Sequence, residues 1–336
     1  GPSRKKLKGH SIRITLSIWS SQNIMSTYHE SIMRDEVLHY LNIHKEGVIV
    51  DGTLGDGGHT EFILKNTAPG IRVFAIDRDP SAIERARERL SPFQGRVTLA
   101  HGNLADIKDL ALQNGISQIV GALMDLGVSS PQLDTPQRGF SIQHDGPLDM
   151  RMDPSQKISA ADLLINLSDA ELASIIKNFG EERYSKRVVR SIRKEQAERP
   201  ITTTSQLSRI VARVVVSSRH SRIHPATRTF QALRIAVNDE LEQLKLALQG
   251  VIGLLSSTAR LAVISFHSLE DRIVKTFFRD EQKGCSCPPK MPLCVCGGKP
   301  TLKILTRKPL TPSEEEVARN PRSVSAKLRV AERVYV

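Results

Sequence analysis

Between Val48 and Leu126 four short apolar runs alternate with turns and helix-like segments, and this alternation narrows the possible folds more than any other feature. Val48-Ile49-Val50 ends in Asp51 and a glycine-rich turn, followed by a helix-like segment from His59 to Lys65. Arg72 to Ile76 forms a second run ending in Asp77, after which Pro80 opens a charged helix through Leu90. Proline suits that position because the first-turn N–H it lacks would have no partner anyway. Val97 to Ala100 and Ile119 to Leu126 are the third and fourth runs. Apolar strands separated by helices predict a parallel sheet covered on both faces.

The rhythm breaks between about Pro131 and Leu233, where helical periodicity and loops prevail. It returns with a helix from about Pro225 to Leu255 and an apolar strand, Leu261 to Phe266. A cysteine-rich loop (285–298), a proline-rich connection and a strand-like run from Lys327 to Val334 complete the chain. The organisation expected is an α/β, Rossmann-like domain made of residues 29–133 and 234–336. A helical, substrate-binding domain, 134–233, is inserted into it. Residues 1–28 read as an N-terminal extension without regular structure. Its opening Gly-Pro-Ser resembles a protease-cleavage remnant, and Arg4 to Met25 carries Arg4, Lys5, Lys6, Lys8 and Arg13 with no acid. The stretch reads as an extension upstream of a start at Met25; an organellar transit peptide has the same composition.

Charge points to the class of partner. The 336 residues carry 48 Lys+Arg against 36 Asp+Glu, a net +12, which favours a polyanion such as nucleic acid. Aromatic residues make up only 4% of the chain, with one Trp, so a surface built mainly of stacking platforms is excluded. No run of about 18 apolar residues suggests a membrane span.

The cofactor is read from Asp51-Gly52-Thr53-Leu54-Gly55-Asp56-Gly57-Gly58-His59. Glycines let the backbone turn sharply and approach a ligand, and the helix that follows aims free N–H groups into the turn. Asp77, ending the second strand, stands where a nucleotide-type ribose finds its hydroxyl acceptor. The glycine spacing is not that of a pyrophosphate turn, and Asp51 and Asp56 would repel phosphates. Both acids suit a sulfonium, so S-adenosylmethionine is expected in place of a nicotinamide cofactor.

These segments resemble the RsmH (MraW) family of ribosomal RNA cytosine N4-methyltransferases. The resemblance is carried by the glycine turn, Ala75-Ile76-Asp77-Arg78-Asp79-Pro80 and Asp125-Leu126-Gly127-Val128-Ser129-Ser130-Pro131-Gln132. Further matches are Arg138-Gly139-Phe140, Gly146 to Asp153, Gly180 to Arg183, His224 to Arg234, Ile264 to Arg272, Asn320-Pro321-Arg322 and Ser325 to Arg329. It spans roughly residues 29 to 334. It implies that Gly57, Gly58, His59, Asp77, Asp125 and Gln132 contact S-adenosylmethionine. Leu104 stands where the family commonly has an aromatic beside the adenine. The implied substrate is one cytidine in the decoding region of small-subunit rRNA, met on the RNA or on the assembling subunit.

Methyl transfer from a sulfonium is an in-line displacement that needs no metal, with the acceptor nitrogen held about 3–3.5 Å from the methyl carbon. A cytosine amine is a poor nucleophile, because its lone pair is delocalised into the ring. An acceptor for its N–H would stabilise the positive charge that develops. Asp125 fits that task, with cofactor contact alone as the alternative. His267 either takes the released proton, bonds the base, or is structural. Arg183, Lys186, Arg187, Arg190 and Lys194 recur at helical spacing and suit RNA phosphates. Arg228, Gln231 and Arg234 are expected opposite a buried stripe of Phe230, Leu233, Val237 and Leu241, free to meet substrate.

All four cysteines, Cys285, Cys287, Cys294 and Cys296, lie within twelve residues. Their isolation argues against a disulfide framework and for a reducing, cytoplasmic setting. Two C-x-C pairs could also hold zinc. A methyltransferase acting on another RNA or on DNA, and a non-catalytic ribosome-assembly factor, are the competing readings.

Overall fold

The computed structural model describes residues 31–43, 45–215, 224–285, 287 and 296–334, so the expectations for residues 1–28 and for Cys294 lie outside the described residues. Seven strands form one sheet. They are β1 (Glu46–Asp51), β2 (Gly70–Asp77), β3 (Val97–His101), β4 (Ile119–Asp125), β5 (Leu255–Ser265), β6 (Leu302–Ile304) and β7 (Lys327–Arg333). Their order is β3-β2-β1-β4-β5-β7-β6. β1 to β5 are mutually parallel, and β7 runs antiparallel between β5 and β6. This is the Rossmann-like α/β sheet expected from the strand–helix rhythm. β6 was not foreseen; it is three residues long and sits in the proline-rich connection.

Successive side chains of a strand point to opposite faces, so each strand feeds two cores. Val48, Val50, Phe74, Ile76, Ala122, Met124, Leu261 and Val263 belong to one. Against them pack α4 (Ile107–Gln113), α11 (Glu240–Ile252) and α12 (Ser268–Lys283) through Ala111, Leu248, Val251, Val274 and Phe278. Ile49, Val73, Ala75, Leu123, Ala262 and Ile264 face the other core, covered by α1 (Arg34–Leu41), α2 (Gly58–Lys65) and α3 (Pro80–Arg89). Asp79 caps α3 by accepting from the Ser81 N–H, with Pro80 in the first turn as anticipated.

After the short α5 (Ser130–Asp134), a third core runs from Phe140 to Val237. It gathers α6 (Ala160–Asn166), α7 (Asp169–Gly180), α8 (Ser185–Glu198), α9 (Thr204–Val214) and α10 (Thr227–Asn238). Capping boxes start α6, α7 and α9, at Ser159, Ser168 and Thr203. α10 straddles the boundary expected between residues 233 and 234, and Val237 still packs in this core. A last helix, α13 (Glu314–Arg319), precedes β7. Among the described residues no helix is long and apolar enough to cross a membrane.

The single helix expected from about Pro225 to Leu255 is two helices. Asp239 adopts a left-handed conformation, φ 50°, ending α10 and opening α11. Asn238 before it is fully buried and acts as a rivet. Its Nδ2 donates to the carbonyls of Met150 at 2.7 Å and Arg234 at 2.9 Å, and its Oδ1 accepts from the Met152 N–H at 2.8 Å. Its own carbonyl accepts from Arg78 Nη1 at 2.7 Å, which ties the end of β2 to the helical core.

Asn238→Ala strips partners from buried backbone groups of Met150 and Met152, which costs about 2–4 kcal/mol. Urea unfolding is expected to show a lower midpoint at unchanged slope. A midpoint equal to that of the wild type would show that these bonds contribute nothing.

Candidate active site

The carboxyl ends of parallel strands are where an open α/β sheet binds ligands, because the loops diverge there. A cavity of about 320 Å³ opens at that edge, lined by Gly52, Gly55, Gly58, His59, Asp77, Leu104, Asp125 and Gln132 among others. Its size lies in the range of small-molecule pockets, roughly 300–1,000 Å³. Phe266, Arg234, Glu240 and Gln243 complete the wall toward the helical core.

Hydrogen bonds between strand ends set the positions of the two central acids. Gly52 N–H donates to the Leu123 carbonyl and Leu54 N–H to the Ile76 carbonyl, both at 2.9 Å. Asp125 N–H donates to Thr53 Oγ1 at 2.6 Å. Asp77 accepts from Gly55 N–H and Asp79 N–H, one on each oxygen, both at 2.8 Å. Burial outweighs those two bonds and pushes the Asp77 carboxyl up to about 6. Each oxygen keeps lone-pair capacity for a further donor.

Asp125 differs from Asp77. Its Oδ2 lies 3.4 Å from His59 Nε2, and its Oδ1 is covered yet has no hydrogen-bond partner among the described residues. A carboxylate oxygen removed from water without a donor is costly, so this atom marks where a ligand donor belongs.

The two acids first used to favour a sulfonium act differently. Asp51 is buried, outside the cavity lining, and accepts from Thr60 Oγ1 at 2.7 Å and Thr53 N–H at 3.2 Å. Burial pushes its carboxyl up. Asp56 lines the cavity but pairs with Arg85 at 2.8 Å. Among the described residues five acids line the cavity: Asp56 and Glu240 pair with arginines and Glu270 with His267, whereas Asp77 and Asp125 pair with no arginine.

Other expected site residues divide by position. Gly57 is outside the lining; it caps α2 at φ 77°, and a Cβ there would press on Leu90 and Ala86. Gly58 lies so close to Ser31 that a Cβ would come within 2.2 Å of its Oγ. Gln132 lines the cavity, but its Nε2 donates to Asp79 at 3.0 Å and its Oε1 accepts from Ser129 N–H at 3.0 Å. Asp79 also accepts from Arg138 Nη1 at 2.7 Å, so Gln132 is a brace between α3 and α5. His267 is not in the lining. It caps α12, with Nδ1 accepting from Glu270 N–H and Nε2 3.2 Å from Glu270 Oε1.

Of the α10 side chains expected to be free for substrate, Arg234 and Gln231 are engaged, while Arg228 stays exposed. Arg234 reaches the cavity but forms a bidentate pair with Glu240, at 2.8 and 2.9 Å. Gln231 donates to the Phe179 carbonyl at 2.9 Å, and Arg228 reaches the Glu181 carbonyl at 3.4 Å. By contrast, Arg187, Arg190, Lys186 and Lys194 stand exposed on α8, whose opposite side buries Val188, Val189 and Ile192. Arg183 is exposed just before that helix begins. Sequence reasoning missed Glu240, Gln243 and Phe266, whose approach to the cavity depends on the bend at Asp239 and the end of β5.

Residues 26–334 match the MraW methylase family. The chain belongs to that family. It is 54% identical over 308 residues to "Ribosomal RNA small subunit methyltransferase H" of Geobacter sp. (strain M21), covering 91% of this chain and 99% of that protein. The protein of the same name from Brevibacillus brevis is 47% identical over 311 residues, covering 92% and 99%. Among solved structures, SMU.1697c from Streptococcus mutans, in complex with SAH, aligns at a TM-score of 0.39 and 13% identity, covering 90% of this chain and 96% of that one.

As in a methylase of this family, the methyl donor is S-adenosylmethionine, and the cavity residues fit it. Asp77 retains acceptor capacity suited to ribose hydroxyls, and Leu104 offers an aliphatic wall. The orphan oxygen of Asp125 presents negative charge at the cavity wall.

If the Asp77 carboxylate takes ribose hydroxyls, protonation weakens the contact from one with a charged group to one with a neutral group, a loss of about tenfold in affinity. Because the carboxyl titrates at about 6, S-adenosylmethionine binding measured by calorimetry is expected to weaken as pH falls from 7 to 5. Asp77→Asn binds more weakly and shows a flat profile over that range. A wild-type profile equally flat would remove Asp77 from the contact.

Proposed function

We propose that the protein transfers a methyl group from S-adenosylmethionine to the exocyclic N4 of a cytidine in the decoding region of small-subunit rRNA. Membership of the MraW methylase family and relatives named as small-subunit rRNA methyltransferases support RNA methylation. The observation that carries the chemistry is the partnerless Oδ1 of Asp125 at the cavity wall.

The bound cofactor supplies an electrophilic methyl on a sulfonium. Asp77 holds the nucleoside part; the Asp125 backbone N–H is held by the Thr53 hydroxyl, and His59 Nε2 lies 3.4 Å from its second oxygen. The free oxygen accepts an N–H of the incoming cytosine amine, so positive charge developing on nitrogen meets a fixed negative charge. This needs no rearrangement of the protein, because the backbone at Asp125 is already tied to β1. Phe266 offers an apolar wall for the base, backed by Glu270, which accepts from the Phe266 N–H at 2.8 Å. His267, engaged as a helix cap, does not need to act on the proton; once nitrogen is methylated, the proton can pass to Asp125 or to solvent.

The target must leave its stack to enter such a cavity. The helical region from residue 134 to 233 is the part proposed to grip the RNA. Lys186, Arg187, Arg190 and Lys194 give it an exposed cationic face against phosphates, in keeping with the net +12. Arg234, paired with Glu240, serves as a cavity wall. A cytoplasmic protein meeting free or assembling small-subunit rRNA matches this reading.

Small-subunit rRNA lacking the mark, incubated with the protein and S-adenosylmethionine and digested to nucleosides, is expected to gain N4-methylcytidine by mass spectrometry. A methyl on another base, or equal transfer to unrelated RNA or DNA, would overturn the assignment.

A further inference from the structure

The loop between α12 and β6 plays no part in the chemistry above. None of its described residues from Cys285 to Pro300 belongs to a core, and 296–300 are exposed. Yet its neck is pinched shut. A Cβ on Gly284, at φ +66°, would come within 2.1 Å of the Lys299 backbone, and one on Gly298 within 2.0 Å of the Gly284 carbonyl. Below the neck, Thr301 N–H donates to the Glu281 carbonyl at 2.9 Å. The neck therefore brings Cys285, beside Gly284, against Cys296, two residues before Gly298.

The thiols converge. Cys285, Cys287 and Cys296 have sulfurs all within 4.8 Å of one another, and the Cys285 and Cys296 sulfurs are 3.6 Å apart. Four thiolates around tetrahedral zinc, each about 2.3 Å from the ion, stand about 3.8 Å from one another. The observed spacing is close to that. We propose that Cys285, Cys287 and Cys296 bind a structural zinc ion. Binding displaces the thiol protons into solvent and leaves a thiolate-held cation. Soft sulfur donors in this number select zinc over magnesium or calcium, which require oxygen. The metal ties Cys285 and Cys287 to Cys296 across the neck of the loop, a task separate from methyl transfer.

Metal analysis of the full chain, purified under reducing conditions without chelator, is expected to find about one zinc per chain. Cys285→Ser and Cys296→Ser are expected to lose it, while circular dichroism and S-adenosylmethionine binding stay at wild-type values because the loop lies outside the three cores. Cobalt substitution gives an independent check on the ligands: the wild type is expected to show strong thiolate charge-transfer absorption of a tetrahedral site, and the serine variants are not. Protein free of metal with all four thiols titratable overturns the proposal. So does iron with inorganic sulfide, or a Cys285–Cys296 disulfide trapped by alkylation.

Discussion

The pairing of β1 with β4 is the constraint on which the cavity depends. Asp51 lies opposite Leu123 in that parallel register, and the chain then leaves the sheet through Gly52, whose N–H is still held by the Leu123 carbonyl. One residue further, the Thr53 hydroxyl accepts the Asp125 N–H. The loop after β1 therefore fixes the tip of β4, and Asp125 needs no ordering when a ligand arrives. β2 joins the same lattice through the Leu54–Ile76 bond and through Asp77, which accepts from the Gly55 N–H. A Cβ on Gly52 would come within 2.8 Å of Leu104 Cδ1, so a larger residue there would push the Leu104 side chain aside.

A second layer of buried polar contacts joins the helical core to this lattice. Asp79 is fully buried, and its charge is matched by Arg138 and by the Gln132 amide. Arg138 in turn donates to the carbonyls of Arg151 and Met152, the latter at 2.7 Å. Asn238 bonds to Met150 and Met152 from the opposite side. Buried bonds of this kind add little net stability, but leaving one unmade is costly, so they favour a single arrangement over its neighbours. The result is a fixed relation between the cavity and the region proposed to hold RNA.

How much of this could be read from the sequence follows the range of the interactions. Local periodicity gave β1 to β4, α2 and α3 to within about two residues, because each strand is apolar and those two helices begin at a glycine or proline signal; α4 and α5, short and without a clear apolar period, were not legible. It did not give the bend at Asp239. Asn and Asp tolerate left-handed backbone, but only the buried bonds of Asn238 to residues some 86 positions away decide that this pair uses it. Gln132 illustrates the same limit: its place at the cavity was legible, while its engagement with Asp79 was not. His267 resembled a catalytic base because it follows a strand, yet the Glu270 three residues on makes it half of a capping box. Asp77 and Asp125 were legible because the ends of parallel strands are where function collects, and both acids line the cavity.

Whether Asp125 acts on the incoming amine or holds only the cofactor is tested most directly by single-turnover methyl transfer. Asp125→Asn keeps an acceptor oxygen but removes the charge, so a loss confined to cofactor binding would vanish at saturation. Removing one aimed electrostatic contact typically costs about 10²–10³ in rate. At saturating S-adenosylmethionine and rRNA, Asp125→Asn is expected to stay slower than wild type by about that lower bound or somewhat less. A single-turnover rate within about twofold of wild type would contradict it and leave Asp125 as a cofactor ligand alone.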